Sequence, residues 1–160
     1  MVQLVRLLEL LSNAGVNFVL VGGAAAYAHG STMVTQDLDL CGEMSRENIK
    51  KLARALAPHN PKHRMSPAKP PFTEEQAGTQ CFKNLYLQTD IGQIDFLGEI
   101  KGIGGYEAVR AGSEILSLPD FSFNILSITK LIKAKEAMGR PRDLEAVAIL
   151  KRIRNENENN

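Results

Sequence analysis

What this sequence has little of narrows its class before any motif is read. It carries two cysteines, Cys41 and Cys81, and both fall in stretches that read as strands. A disulfide-built secreted scaffold is therefore excluded, and reduced core thiols in a cytoplasmic protein are expected, with a Cys41–Cys81 disulfide as the less favoured alternative. No apolar run approaches the ~20 residues needed to span a bilayer, so no membrane segment is expected. The apolar start, MVQLVRLLELLSNAG, is interrupted by Arg6 and Glu9 and has a helical period. It reads as an amphipathic helix of the mature chain and not as a signal peptide. A dominant charge is lacking as well, and a net charge of +1 identifies no partner.

One local deficit is more informative. Between Glu47 and Glu74 there is no acidic residue, while Lys50, Lys51, Arg54, Lys62, Arg64 and Lys69 fall there with His59 and His63. Such a segment could meet a polyanion such as RNA; a solvated helix face followed by a basic loop accounts for it equally well. With 44% hydrophobic and 23% charged residues over 160 positions, the remainder is ordinary for one soluble domain.

The apolar pattern predicts an α/β (α+β) order of elements. Val2, Leu4, Val5, Leu8 and Leu11 recur at helical spacing, and Asn13-Ala14-Gly15 ends that helix. Phe18–Val21 is a continuous apolar run suited to a strand buried on both faces. Gly22-Gly23 turns into a short helix through Ala24–Ala28, closed by His29, and Gln36–Cys41 resumes as a strand. Ser45 is an N-cap for a helix burying Ile49, Leu52, Ala53 and Leu56, with Asn48 as a weak capping-box partner. Five of the seven prolines then fall between Pro58 and Pro71, predicting a loop, mobile and lid-like over a substrate. Two hairpins follow, Cys81–Gln88 with Gln93–Leu97 and Glu114–Leu118 with Phe121–Ile125. Two helices close the chain, one from Ser127 to Gly139 and one from Pro141 carrying Leu144, Val147, Ala148, Leu150 and Ile153. The expected division is one domain over 1–155, with a core at 16–126, helices at 127–154 and a frayed tail at 155–160.

The residues that break these local rules are acids inside strands. Asp is depleted from strands, and a buried carboxylate is costly unless paired or metal-bound. Asp37 and Asp39 share one face of their strand, with Cα atoms about 7 Å apart, while Leu38 and Leu40 face the core. Carboxylates so placed can converge on a divalent ion, and Mg²⁺ (or Mn²⁺) suits hard oxygen ligands that also meet phosphates. Asp95, between Ile94 and Phe96, is a third acid in an odd place, and an adjacent strand would bring it to the same site. Its alternative is a solvated edge-strand carboxylate. Gly22-Gly23 sits where a strand becomes a helix, which suits close approach to phosphate. The spacing is neither a dinucleotide fingerprint nor a Gly-Lys-Ser/Thr phosphate loop.

An apolar residue, Gly-Gly, thirteen intervening residues and then Asp-Leu-Asp-Leu resembles the signature of the DNA polymerase beta-like nucleotidyltransferase superfamily. The fuller pattern VGGxAxxxHGxxxxTxDLDL resembles small bacterial nucleotidyltransferases related to the AbiEii toxin family and to minimal nucleotidyltransferases. LIKAKEAMGRPRDLEAVAIL, with Lys135, Arg142 and Asp143, is similar to the helical tail of that group. The resemblance implies a mixed sheet flanked by helices and transfer of a nucleoside monophosphate from NTP to a hydroxyl. It implies that Asp37 and Asp39 bind the metal ions, that Asp95 helps activate the hydroxyl, and that Gly22 and Gly23 hold the phosphates. Ser31, Thr32 and Thr35 are hydroxyl donors near the nucleotide, and Lys135 is a candidate to neutralise phosphate. Relatives often carry an arginine shortly before the Thr-x-Asp-x-Asp run, where this chain has Met33-Val34. The acceptor stays open between RNA and protein, and an antitoxin or a second copy is the expected partner. The alternatives are a catalytically weak nucleotide- or partner-binding module of a toxin–antitoxin pair, and a small nucleic-acid binder.

Overall fold

The computed structural model describes residues 2–160, without the side chain of Val2, so that residue's assignment to the first helical face lies outside the described residues. The chain runs α1 (Val2–Asn13), β1 (Phe18–Val21), α2 (Gly22–Ala28), β2 (Asp37–Gly42), α3 (Arg46–Leu56), β3 (Lys62–His63) and α4 (Glu74–Thr79). It continues through β4 (Asn84–Thr89), β5 (Gly92–Leu97), β6 (Glu99–Ile100), β7 (Gly104–Gly105) and α5 (Tyr106–Ala111). β8 (Ser113–Ser117), β9 (Ser122–Leu126), α6 (Ile128–Met138) and α7 (Pro141–Glu158) complete it. Seven strands form one mixed sheet in the order β3-β4-β5-β2-β1-β9-β8, flanked by helices, and β6 and β7 form a separate short ribbon. The expected α/β (α+β) architecture with a C-terminal helical segment is the observed one.

β1 and β2 sit at the centre of this sheet, which is why their apolar runs have so few polar interruptions. All four residues of β1 are buried, and Leu38 and Leu40 are fully so. Leu40 stands opposite Phe96, and Leu85 stands opposite it from the other side. Gly42 is glycine because a Cβ there would fall into the Phe96 ring. Asn48 has a larger part than a capping residue. Ser45 does cap α3, accepting from the Asn48 N–H at 3.2 Å. The buried Asn48 side chain accepts from the Asn17 N–H at 2.7 Å and donates to the carbonyls of Asn17 and Glu43 at 3.0 and 2.7 Å. It thereby ties the entry of β1 to the exit of β2, satisfying backbone groups that would otherwise be orphaned in the interior.

Several local expectations shift. In α1, Leu7 completes the buried face with Leu4, Leu8 and Leu11, while Val5 is exposed. In α7 the buried face is Asp143, Ala146, Val147 and Leu150, and Leu144 and Ala148 face outward. Apolar spacing missed this register because a carboxylate occupies the first core position. α7 also runs to Glu158, through the stretch expected to fray. Cys81 lies exposed between α4 and β4, not in a strand, and both cysteines are free. Burial pushes the Cys41 thiol up to about 12, so it is an inert core group.

The proline-rich segment is the main correction. It is pinned to the sheet and does not form a free lid. His63 N–H donates to the Pro70 carbonyl, Phe72 N–H to that of Pro61, and Arg64 N–H to that of Tyr86, each at 2.8–2.9 Å. The His63 ring packs between Phe72 and Phe82 at 5.6 and 6.3 Å between centroids, and its Nε2 meets Gln76 Oε1 at 2.8 Å. Prolines break helical periodicity, but they do not prevent an edge strand from using its remaining N–H groups. No helix among the described residues is long and apolar enough to cross a membrane.

Candidate active site

The sheet register places one row of residues side by side: Val21 of β1 opposite Asp39 of β2, Asp39 opposite Asp95 of β5, and Asp95 opposite Tyr86 of β4. Directly paired residues leave the same face, so Asp39, Asp95 and Tyr86 form a polar strip that starts beside the apolar Val21. All four line a cavity of about 490 Å³, together with Gly22 and, from the C-terminal helices, Lys135, Arg140 and Asp143. Its apolar wall includes Leu97, Ile100, Leu126, Leu131 and Met138. Two carboxylates forced together in a half-dry cleft resist ionising together. Asp39 is pushed up to about 6, first by desolvation, then by the charges of Asp95 and Asp37, with Lys135 and Arg64 opposing.

Gly22 is glycine for a reason internal to the site. Its φ is +65°, and a Cβ there would lie under 3 Å from the Asp39 side chain. The strand-to-helix turn therefore sets its backbone close against the Asp39 carboxylate. Gly23 has the same relation to Thr35, whose side chain a Cβ would strike.

Across the cavity, α6 ends at Gly139 in the left-handed region, and α7 begins at Pro141. Asp143, 1% exposed, is the hinge of that corner. Its carboxylate accepts from Arg140 Nε at 2.6 Å and from the Arg140 N–H at 3.3 Å, and stands 3.8 Å from Lys135 Nζ. Those hydrogen bonds, Arg140's first, hold Asp143 below the usual carboxylate range despite burial. Lys135 is thus not a solvated helix lysine: it is held in the cavity facing the strand acids. The paired arginine of this corner is Arg140; Arg142 is exposed.

The cation closest to the acids is one the sequence reading did not single out. Arg64 donates from an Nη to Asp95 Oδ1 at 2.7 Å, with the two side chains only 20% and 18% exposed. Its guanidinium lies 5.8 Å from the centre of the Tyr86 ring. Asp95 is therefore not a solvated edge carboxylate. The absence of acid between Glu47 and Glu74 held a partial signal, since half of that segment's cations find acids beyond it. Lys51 meets Glu47, Arg54 meets Glu74 and Arg64 meets Asp95, which weakens the case for a polyanion-binding surface.

Not every expected site residue joins the cavity. Asp37 lies on the Asp39 face and contributes to its charge, but does not line the cavity wall, and neither does Gly23. Ser31 is buried, its hydroxyl accepts from the Met33 N–H at 3.2 Å, and it does not line the cavity. His29 is structural: its Nε2 meets the Leu126 carbonyl at 2.8 Å. Val34 is largely exposed. Among the described residues no three His, Cys, Asp or Glu side chains are already gathered tightly enough to hold one metal ion.

Comparison with solved structures supplies the frame for this geometry. The chain superimposes on a Thermotoga maritima crystal structure, TM1012, described as "a putative nucleotidyltransferase", with a TM-score of 0.59, over 95% of this chain and 92% of that one. The fold is nucleotidyltransferase-like. Sequence identity to that structure is 17%, so the nucleotidyltransferase-like fold is shared where most side chains are not. No protein-family model and no curated protein sequence matches the chain.

Proposed function

We propose that this protein is a metal-dependent nucleotidyltransferase that moves a nucleoside monophosphate from an NTP to a hydroxyl acceptor, with pyrophosphate leaving. The observation carrying this reading is the direct pairing of Asp39 with Asp95 on the wall of a cavity whose far side presents Lys135. The donor set fits Mg²⁺ or Mn²⁺ in its chemistry, being hard carboxylate oxygens; desolvation first, and then the charges of Asp95 and Asp37, lift Asp39 to about 6. Asp37, Asp39 and Asp95 would hold the ion, which when bound would stabilise charge on the reacting phosphoryl oxygens.

The protein's own residues would position and neutralise. Asp95, at the Tyr86 side, is placed to accept a proton from the incoming hydroxyl once freed from Arg64. Lys135, held by Asp143, faces Asp39 across the cavity and would meet the negative charge of the triphosphate. The apolar wall of Ile100, Leu131 and Met138 suits the flat face of a base. Gly22 and Gly23 would let phosphate oxygens approach the backbone. Catalysis of this kind rests on alignment and charge neutralisation. Labelled NTP with Mg²⁺ and an RNA pool is expected to give transfer that Asp39→Ala abolishes. Absence of any Mg²⁺-dependent NTP binding would rule the reading out.

A second reading is a nucleotide- or partner-binding module with little turnover, as in one half of a toxin–antitoxin pair. It is favoured by the Arg64–Asp95 pair, which occupies the third acid. NTP binding measured by calorimetry, without transfer to RNA or protein, would select it.

A further inference from the structure

Asp95 has one close cationic partner, and that partner is not on the cavity's opposite wall but on the sheet edge. Arg64 follows β3 directly, and its backbone N–H is fixed to the Tyr86 carbonyl at 2.8 Å. From that anchor its side chain crosses Tyr86 and ends on Asp95 Oδ1 at 2.7 Å. Tyr86 and Asp95 are register partners, so anchor, platform and target belong to one row of the sheet. Meanwhile no three metal-ligating side chains are gathered among the described residues, although the charges of Asp37 and Asp95 both bear on Asp39 and those of all three acids bear on Arg64.

A guanidinium on one carboxylate oxygen removes most of the negative charge that a divalent ion would seek there. At 4–5 Å the repulsion between a single and a double positive charge amounts to several kcal/mol even with an effective dielectric near ~20. Arg64 and a metal ion therefore cannot both be close partners of Asp95 without a large loss of affinity. Arg64 need not leave Tyr86 when displaced. The Tyr86 ring, whose centre is already 5.8 Å from the guanidinium, offers a face on which that cation is stable.

We propose that Arg64 is a displaceable counter-cation: it holds Asp95 in the metal-free protein, competes with the divalent ion for that carboxylate, and is released when metal binds. This rests on the metal-dependent reading above. Arg64 is thus a positioning residue acting through Asp95, and it keeps the acid row from carrying uncompensated charge until the ion arrives.

Mn²⁺ affinity, measured by electron paramagnetic resonance on wild type and Arg64→Gln, tests this without turnover. Arg64→Gln is expected to bind Mn²⁺ about tenfold more tightly, since one charge-assisted hydrogen bond no longer has to be broken. A merely structural loss would weaken binding, so the gain is diagnostic. Lys69→Gln removes an equal charge from the same loop without touching Asp95 and is expected to stay within about twofold of wild type. Unchanged or weaker Mn²⁺ binding by a folded Arg64→Gln, where wild type binds, overturns this proposal alone. Equal tightening by Lys69→Gln also overturns it, since bulk charge would then suffice. No Mn²⁺ binding by either protein, even with a non-hydrolysable NTP analogue, overturns both this and the nucleotidyl-transfer reading. Should Arg64→Gln not fold, the guanidinium ¹⁵N resonance of Arg64 in wild type decides. Loss of its slowed proton exchange on adding Mg²⁺ supports the proposal, and an unaltered signal at saturating Mg²⁺ overturns it.

Discussion

Asp39 and Asp95 are direct partners in the parallel β2–β5 pair, so two carboxylates leave the same face of neighbouring central strands. Strand spacing alone brings their backbones to ~4.8 Å, and both side chains open on one cavity. Such a pair is costly to an empty site and useful to an occupied one. That asymmetry underlies the first prediction.

Asp39 is pushed up to about 6 from the ordinary carboxylate value of 3.8. Because the folded protein binds this proton more tightly than the unfolded chain, stability falls as pH rises between those two values. At neutral pH this amounts to a loss of about 2–3 kcal/mol. Asp39→Asn should therefore stabilise the metal-free protein by about 2 kcal/mol near pH 8 and lose that advantage below about pH 4. Urea unfolding with a chelator at both pH values checks it. The same variant should have no Mg²⁺-dependent NTP binding.

Gly22→Ala should be far more damaging than Gly15→Ala, although both glycines have positive φ, +65° and +75°. A Cβ at Gly15 meets nothing within 4 Å, whereas one at Gly22 strikes Asp39. The left-handed backbone costs each about 1–2 kcal/mol. Gly22→Ala adds the displacement of Asp39, for a total of about 3 kcal/mol or more. Equal losses of Tm in the two variants would show that Asp39 is not held by this contact.

Asp143 and Lys135 should separate structure from binding. Asp143→Ala removes both cap and counter-charge at the α6–α7 corner and is expected to cost about 2 kcal/mol, moderated by the exposure of Arg140. The Asp143 carboxyl sits below its ordinary value. Its contribution is therefore present above about pH 4 and fades as pH falls through the lower folded value. Lys135→Ala should change stability by less than about 1 kcal/mol yet weaken NTP binding. Thermal unfolding beside calorimetric NTP titration distinguishes the two.

Asn48→Ala should cost about 2–4 kcal/mol, since it breaks three hydrogen bonds and leaves the Asn17 N–H and the Asn17 and Glu43 carbonyls without their side-chain partner. Denaturant midpoints with an unchanged slope would confirm a loss confined to the native state. A cost under about 0.5 kcal/mol would mean that water replaces the amide.

Much of this was readable along the chain. The strand at Phe18–Val21, the turn at Gly22-Gly23 and the shared face of Asp37 and Asp39 all follow from local pattern, because period and turn chemistry act over a few residues. The helix cap at Ser45 follows for the same reason. The lid expected from Pro58–Pro71 did not, since whether a loop is free depends on hydrogen bonds to a strand over twenty residues later in sequence. Burial of Ser31 and the hydrogen bond it accepts from the Met33 N–H were equally beyond local pattern.

By itself the sequence determined the longer strands and helices and the odd acids, though not the short β3, α4, β6 and β7, because backbone period and the cost of a strand carboxylate are local properties. Tertiary structure alone decided the partners. Strand order set Asp39 beside Asp95 and Asp95 beside Tyr86, the α6–α7 corner set Asp143 under Lys135, and an edge strand delivered Arg64 across 31 residues of sequence. Electrostatic pairing depends on distance in space, and residue spacing along the chain does not fix that distance.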